Sequence, residues 1–170
     1  MNSSHHTDNA NYEIEYKYLV DLSKIDYQNF PFAEIEQVYI STAPVIRIRR
    51  MDHDYILTVK GGGKVKHLEY ELPLTAAEYA GLLRKAEGYP VQKRRYRIPY
   101  LFAGKKYTIE LDIFKGIFTG LVLAEVEFAS EEEAAAFQPP AWFRQNVSHE
   151  SRYHNSFLAE HGPAALSGTE

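Results

Sequence analysis

The sequence predicts a mostly β fold, α+β in content, of eight antiparallel strands with a few flanking helices, which would form an eight-stranded antiparallel β-barrel if the sheet closes on itself. Three observations predict it: eight short segments alternate apolar and polar residues, the breaks between them have turn chemistry, and nearly every segment carries a like-charged pair two residues apart.

Residues 12–20, 36–41, 45–51, 55–60 and 66–73 alternate with a period of two, the spacing of a strand rather than a helix. Asp52-His53-Asp54 and Gly61-Gly62-Gly63 have hairpin composition, and Thr42-Ala43-Pro44 breaks the chain between strands. Connections this short imply antiparallel neighbours. A helix is predicted over 75–88, with Thr75 as N-cap, Glu78 completing a capping box and Gly88 beyond the end. Three more strands follow at 91–102, 105–114 and 121–129, the first two joined by Ala103-Gly104. Ser130 caps an acidic helix over 131–137 that Pro139-Pro140 terminates, and a last helix is predicted over 151–161. Residues 1–11 and 162–170 are expected to be disordered, on either side of one domain at 12–161.

A chain of 170 residues suits a single domain with a substantial core. Its 45% hydrophobic and 14% aromatic content, with Tyr 13 against Trp 1, favours strands. Cys is 0, so disulfides and thiolate metal sites are excluded and any metal must use oxygen or imidazole. No apolar stretch approaches the roughly 20 residues of a spanning helix, and residues 1–11 lack an apolar signal core. A cytoplasmic location is expected, with no membrane partner. The net charge of -4 gives no general attraction to nucleic acid, which is not expected as a partner either.

Residues two apart on a strand share a face. Glu13, Glu15 and Lys17 therefore point one way, and Tyr12, Ile14, Tyr16 and Tyr18 the other. The same rule groups Arg47 with Arg49, Thr58 with Lys60, Glu69 with Glu71, Lys93 with Arg95 and Arg97, Glu110 with Asp112, and Glu125 with Glu127. Any one pair is most simply a solvated sheet face. As a set they are harder to dismiss, because whole strands present only acid or only base, and like charges in a row repel by roughly 1 kcal/mol per close pair. A barrel closed around this face brings opposing rows together, in a lumen sized for side chains or one small ligand. Acidic rows then suit cations and basic rows an oligoanion.

Glu13-Ile14-Glu15-Tyr16-Lys17 resembles the ExExK signature of the CYTH superfamily, the triphosphate tunnel metalloenzymes. Further similar motifs follow in order: Val45 to Arg49, Leu57 to Lys60, Glu69-Tyr70-Glu71, Lys93 to Tyr96, Glu110-Leu111-Asp112 and Ala124 to Glu127. The resemblance covers about residues 12 to 160. It implies an eight-stranded tunnel acting on a small-molecule triphosphate with Mg2+ or Mn2+. Metal ligands would be Glu13, Glu15 and Glu127 first, then Glu125, with Glu110 and Asp112 serving a second ion. Substrate phosphates would meet Arg47, Arg49, Lys60, Lys93 and Arg95, which can equally pair with the acidic rows. Two catalytic candidates stay open. Lys17 either binds phosphate or, with a depressed pKa, activates water. Tyr39 resembles a family tyrosine near the tunnel and is equally a packing residue. Arg152, in a stretch similar to the family's C-terminal Arg-Tyr-x-Asn helix, would close over a tunnel mouth.

Gly61-Gly62-Gly63-Lys64 lacks Walker spacing and is better a hairpin, while His149 and His154 are metal candidates by residue type alone. Hydrolysis of inorganic tripolyphosphate leads, against a thiamine or nucleoside triphosphatase, a class IV adenylate cyclase, and a non-catalytic polyphosphate- or nucleotide-binding module. A homodimer is left open.

Overall fold

A computed structural model describes residues 11–62 and 66–167. Its strands are β1 (Asn11–Val20), β2 (Phe32–Thr42), β3 (Val45–Met51), β4 (Asp54–Lys60), β5 (Lys66–Leu74), β6 (Glu87–Phe102), β7 (Lys105–Phe114), β8 (Val122–Phe128) and β9 (Phe143–Asn146). Their order is β5-β4-β3-β2-β6-β7-β8-β1-β9, and β5 also pairs with β1. That extra pairing closes strands β1 to β8 into a barrel, with every pairing antiparallel. The short β9 adds to β1 beyond the point where β5 leaves it.

The turns do what their residues permit. Asp52 adopts a positive φ between β3 and β4, and Ala103 and Gly104 both do so between β6 and β7, the geometry that matches the twist of a tight hairpin. Gly61 and Gly62 end β4, and Gly63 lies outside the described residues, as do His5 and His6. So does the expected disordered N-terminus, apart from Asn11, which begins β1.

Three helices sit on the barrel's flanks: α1 (Ala76–Leu83), α2 (Glu131–Ala136) and α3 (Asn155–His161). The capping box at Thr75 and Glu78 is formed. However, α1 stops at Leu83, short of the expected end at Gly88. Gly88 instead lies in β6 with φ +75, because the chain there passes against the carbonyl of Ala159 in α3. Ser151–Tyr153 forms a 3-10 turn before α3 rather than continuing it. Gly162–Leu166 forms another, with Ala165 and Leu166 packed on the core, where the sequence suggested a disordered tail; residues 168–170 lie outside the described set.

The apolar cores are outside the barrel wall or at one end of it. Outward residues of β1, β6, β7 and β8, including Ile14, Tyr18, Ile109, Leu111 and Val126, pack with Ala134 and Phe137 of the α2 region and with Trp142 and Phe143. Each fully buried Ile or Leu there contributes about 1.5–3 kcal/mol. A smaller cluster under α1 joins Val38, Ile48 and Tyr79. The third contains inward residues at one end, Tyr39, Val91, Phe114 and Leu123, stoppered by Leu158 and Ala159 of α3. The interior between is left to charge. No helix among the described residues is long and apolar enough to cross a membrane.

Candidate active site

Strand register sets the inner wall. Glu15 lies opposite Glu127 and Lys17 opposite Glu125 across β1 and β8, while Glu110 faces Glu125 across β7 and β8. Arg95 faces Asp112, Lys60 faces Glu69, Arg47 faces Thr58 and Tyr39 faces Arg47. The single inward row expected on each strand thus becomes a ring of opposed charges.

They enclose a cavity of about 830 Å³ whose lining includes Glu13, Glu15, Arg47, Arg49, Lys60, Lys93, Arg95, Glu110, Glu125 and Glu127. A second space of about 360 Å³ shares Glu13, Glu15, Glu110, Glu125 and Glu127 and opens past Lys105 and Lys106. The carboxylates therefore lie along the open side, and the apolar stopper closes the other end.

The basic residues are held by acids. Lys60 Nζ meets Glu13 at 2.6 Å and Glu69 at 2.5 Å; Arg49 donates to Glu71 at 3.0 Å; Arg47 lies 3.8 Å from Glu69. Arg95 donates to Asp112 through Nε at 2.7 Å and Nη2 at 2.6 Å, reaches Glu125 at 2.5 Å, and also bonds Glu110. Lys93 donates to the same Asp112. Even so, the Nε atoms of Arg47 and Arg49 are buried with no hydrogen-bond partner.

Lys17 is buried, donates to Glu125 and lies 3.8 Å from Glu15. Burial alone would lower its pKa, but the Glu125 and Glu15 carboxylates outweigh it and the net shift is upward. That is opposite to the depression water activation requires. Tyr39 is almost fully buried; its hydroxyl accepts from Gln37 Nε2 at 3.0 Å, and burial raises its pKa despite Arg47 beside it. It both packs in the stopper and lines a small compartment at that end.

Among the acids, burial first would raise Glu125, yet Lys17, Arg95 and Lys93 hold it well below the usual carboxylate range. Glu127 goes the other way, raised by burial and then by the carboxylates of Glu13, Glu110 and Glu15. Glu110 is raised mainly by burial. Glu69 is pushed to about 7 by burial and by its hydrogen bond with Glu13.

The family profile that matches this chain is the CYTH domain, over residues 11–156. The chain belongs to the CYTH family. It is 36% identical over 157 residues to an inorganic triphosphatase of Nitrosomonas europaea, covering 86% of this chain and 96% of that one. It is 36% identical over 117 residues to an inorganic triphosphatase of Acetivibrio thermocellus, covering 68% and 71%. The crystal structure of an inorganic triphosphatase matches with a TM-score of 0.62 and 33% identity, covering 86% of this chain and 93% of that one.

Two expected site residues sit differently in this CYTH barrel. Asp112 is fully buried and absent from the cavity lining, with Arg95 on both of its oxygens and Lys93 on one, so in this arrangement it serves as their counter-ion. Arg152 is not among the residues lining the cavity; its guanidinium donates to Glu150 through Nε at 3.0 Å and Nη2 at 2.6 Å. Six lining residues had received no role from the sequence: Tyr12, Gln37 and Tyr70, then Glu69 and Glu71, whose signal was their own two-residue spacing, and Asn155, which ends the stretch similar to the family's Arg-Tyr-x-Asn helix.

Proposed function

We propose that the chain hydrolyses a phosphoanhydride bond of inorganic tripolyphosphate, releasing orthophosphate and pyrophosphate, with Mg2+ or Mn2+ at the carboxylate side of the tunnel. The observation that carries this reading is the 36% identity to an inorganic triphosphatase across 86% of the chain. The two-signed lumen supplies the chemistry.

The donor set fits a hard divalent cation, since every candidate ligand is a carboxylate oxygen. Glu127 has no hydrogen bond or ion pair among the described residues and is crowded by three like charges, the situation a cation relieves. Glu13, Glu15 and Glu127 would hold it; Glu125 and Asp112 are committed to Lys17, Lys93 and Arg95. Among the described residues no three ligand-type side chains are already gathered at one point, so the carboxylates would draw in around the ion, with water completing the shell until substrate oxygens replace it. When bound, the cation supplies charge neutralisation at the scissile phosphate and acidifies water.

The protein's own residues do the positioning. Arg47 and Arg49, both on the cavity wall, offer guanidinium forks to phosphate oxygens, and Lys60, Lys93 and Arg95 add charge that can move from carboxylate to substrate. Lys17, held protonated, binds phosphate or stabilises the charge that builds on the leaving oxygen. Water attacks the phosphorus, the bridging P–O bond breaks, and pyrophosphate or orthophosphate leaves.

The test is phosphate release from tripolyphosphate, ATP and thiamine triphosphate, each with Mg2+, Mn2+ or EDTA. Metal-dependent turnover with tripolyphosphate preferred is expected. Turnover that survives EDTA, or none with any of the three, refutes the proposal.

A further inference from the structure

Asn155 opens α3 at the stoppered end of the barrel, yet its side chain does not cap the helix, and its Oδ1 is buried with no partner. No hydrogen bond among the described residues uses its amide. It lines the main cavity and also a side compartment of about 90 Å³, whose walls include Glu15, Lys17, Tyr39, Arg47 and Lys60. Arg47, another residue of those walls, also has a buried donor with no hydrogen bond, its Nε. Buried polar atoms without partners are rare and costly, so an unpaired Asn155 amide on a wall shared with three cations points to a ligand that completes it.

The compartment shares Glu15, Arg47, Lys60 and Asn155 with the main cavity, so it is continuous with the space a triphosphate would fill. Lys17, Arg47 and Lys60 make it a place for an anion. Asn155 is also fixed in position: Leu158 and Ala159 of its helix are buried, and His154 Nε2 lies 2.9 Å from the Ser148 carbonyl. A half-turn of the amide exchanges oxygen and nitrogen with almost no change of shape.

We propose that Asn155 is a substrate-binding residue: with Nδ2 turned inward, it donates to an unesterified terminal phosphate whose other oxygens are held by Arg47 and Lys60. This rests on the tripolyphosphate reading and adds to it the end of the tunnel at which a bare phosphate is read.

The experiment compares wild type with Asn155→Leu, which removes the donors, and Asn155→Asp, which keeps the shape and adds negative charge. It reads KM and kcat for tripolyphosphate, the Kd of a nitrogen-bridged tripolyphosphate analogue with Mg2+, and the unliganded Tm. Losing a hydrogen bond to a charged oxygen should raise Kd and KM about tenfold in the Leu variant, and more in the Asp variant, with kcat moving less. The Leu variant's Tm should stay at or above wild type, since an unsatisfied polar group has been removed. Should the Leu variant fail to fold, the isosteric Asp variant carries the comparison. Wild-type Kd and KM in the folded variants overturn the role of Asn155 alone. A wild type that neither binds the analogue nor hydrolyses tripolyphosphate overturns the function and this inference with it.

Discussion

Lys93 shows how far a single charge can be tuned by its neighbours. Its ammonium donates to Asp112 and lies 5.4 Å from the centre of the Phe114 ring, fully enclosed. Burial and the adjacent Arg95 guanidinium lower its pKa to about 8, against the opposing pull of Asp112 and Glu125. Below that pH the residue is charged and attracts phosphate; as pH rises through about 8 the charge is lost. KM for tripolyphosphate should therefore climb on the alkaline side. Lys93→Met should show the raised KM already at neutral pH and no inflection near 8, which a pH series of initial rates measures; an unchanged inflection in the variant would assign the titration elsewhere. The type and facing of this residue were legible in the sequence, because alternation alone places it with Arg95 on the inner wall. Its commitment to Asp112 was not, nor was the upward shift at Lys17. Both depend on which carboxylate lies across the strand pair, and register is a tertiary property.

The elements were legible where local chemistry and period agree. Val45–Met51 and Lys105–Phe114 occupy the spans that alternation marks, and the Thr75 capping box forms as its spacing demands. Where a long-range contact decides, local signals mislead. Gly88 looks like a residue past a helix end, but it is a β6 residue made glycine by α3: a Cβ there would come 2.3 Å from the Ala159 carbonyl oxygen, at φ +75. The four-residue β9 was missed because Phe143-Arg144-Gln145-Asn146 is too short to show a period and follows two prolines. Gly88→Ala must either shift α3 or strain β6, at a cost of roughly 1–3 kcal/mol. Denaturant unfolding should show that loss. Because α3 forms the stopper and carries Asn155, KM for tripolyphosphate should rise as well, whereas Thr75→Ala should cost about 1 kcal/mol with no change in KM, since α1 packs on the far side of the wall.

At the scale of the whole barrel, closure turns a surface pattern into a balance of charge. Among the described residues, the main cavity is lined by seven carboxylates (Glu13, Glu15, Glu69, Glu71, Glu110, Glu125, Glu127) against five cations (Arg47, Arg49, Lys60, Lys93, Arg95). An oligophosphate entering that lumen without a counter-ion would meet net repulsion, despite the arginines. The upward shift of Glu127 is the local trace of the same excess. A divalent cation should then bind the free protein before any substrate does, and whatever binds only the folded state stabilises it by RT ln(1 + [L]/Kd). Thermal unfolding in EDTA, and with Mg2+ or Mn2+ added in the absence of phosphate compounds, is the direct measurement. Tm should rise by about 5–10 °C at a concentration about 100 times the Kd, where the gain is about 2.7 kcal/mol. Glu127→Gln keeps the shape of the side chain and removes the uncompensated charge. It should raise Tm in EDTA, because repulsion falls, and shrink the increment that metal adds. Equal increments in the variant and the wild type would move the cation site away from Glu127, to carboxylates that Lys17 and Arg95 already neutralise.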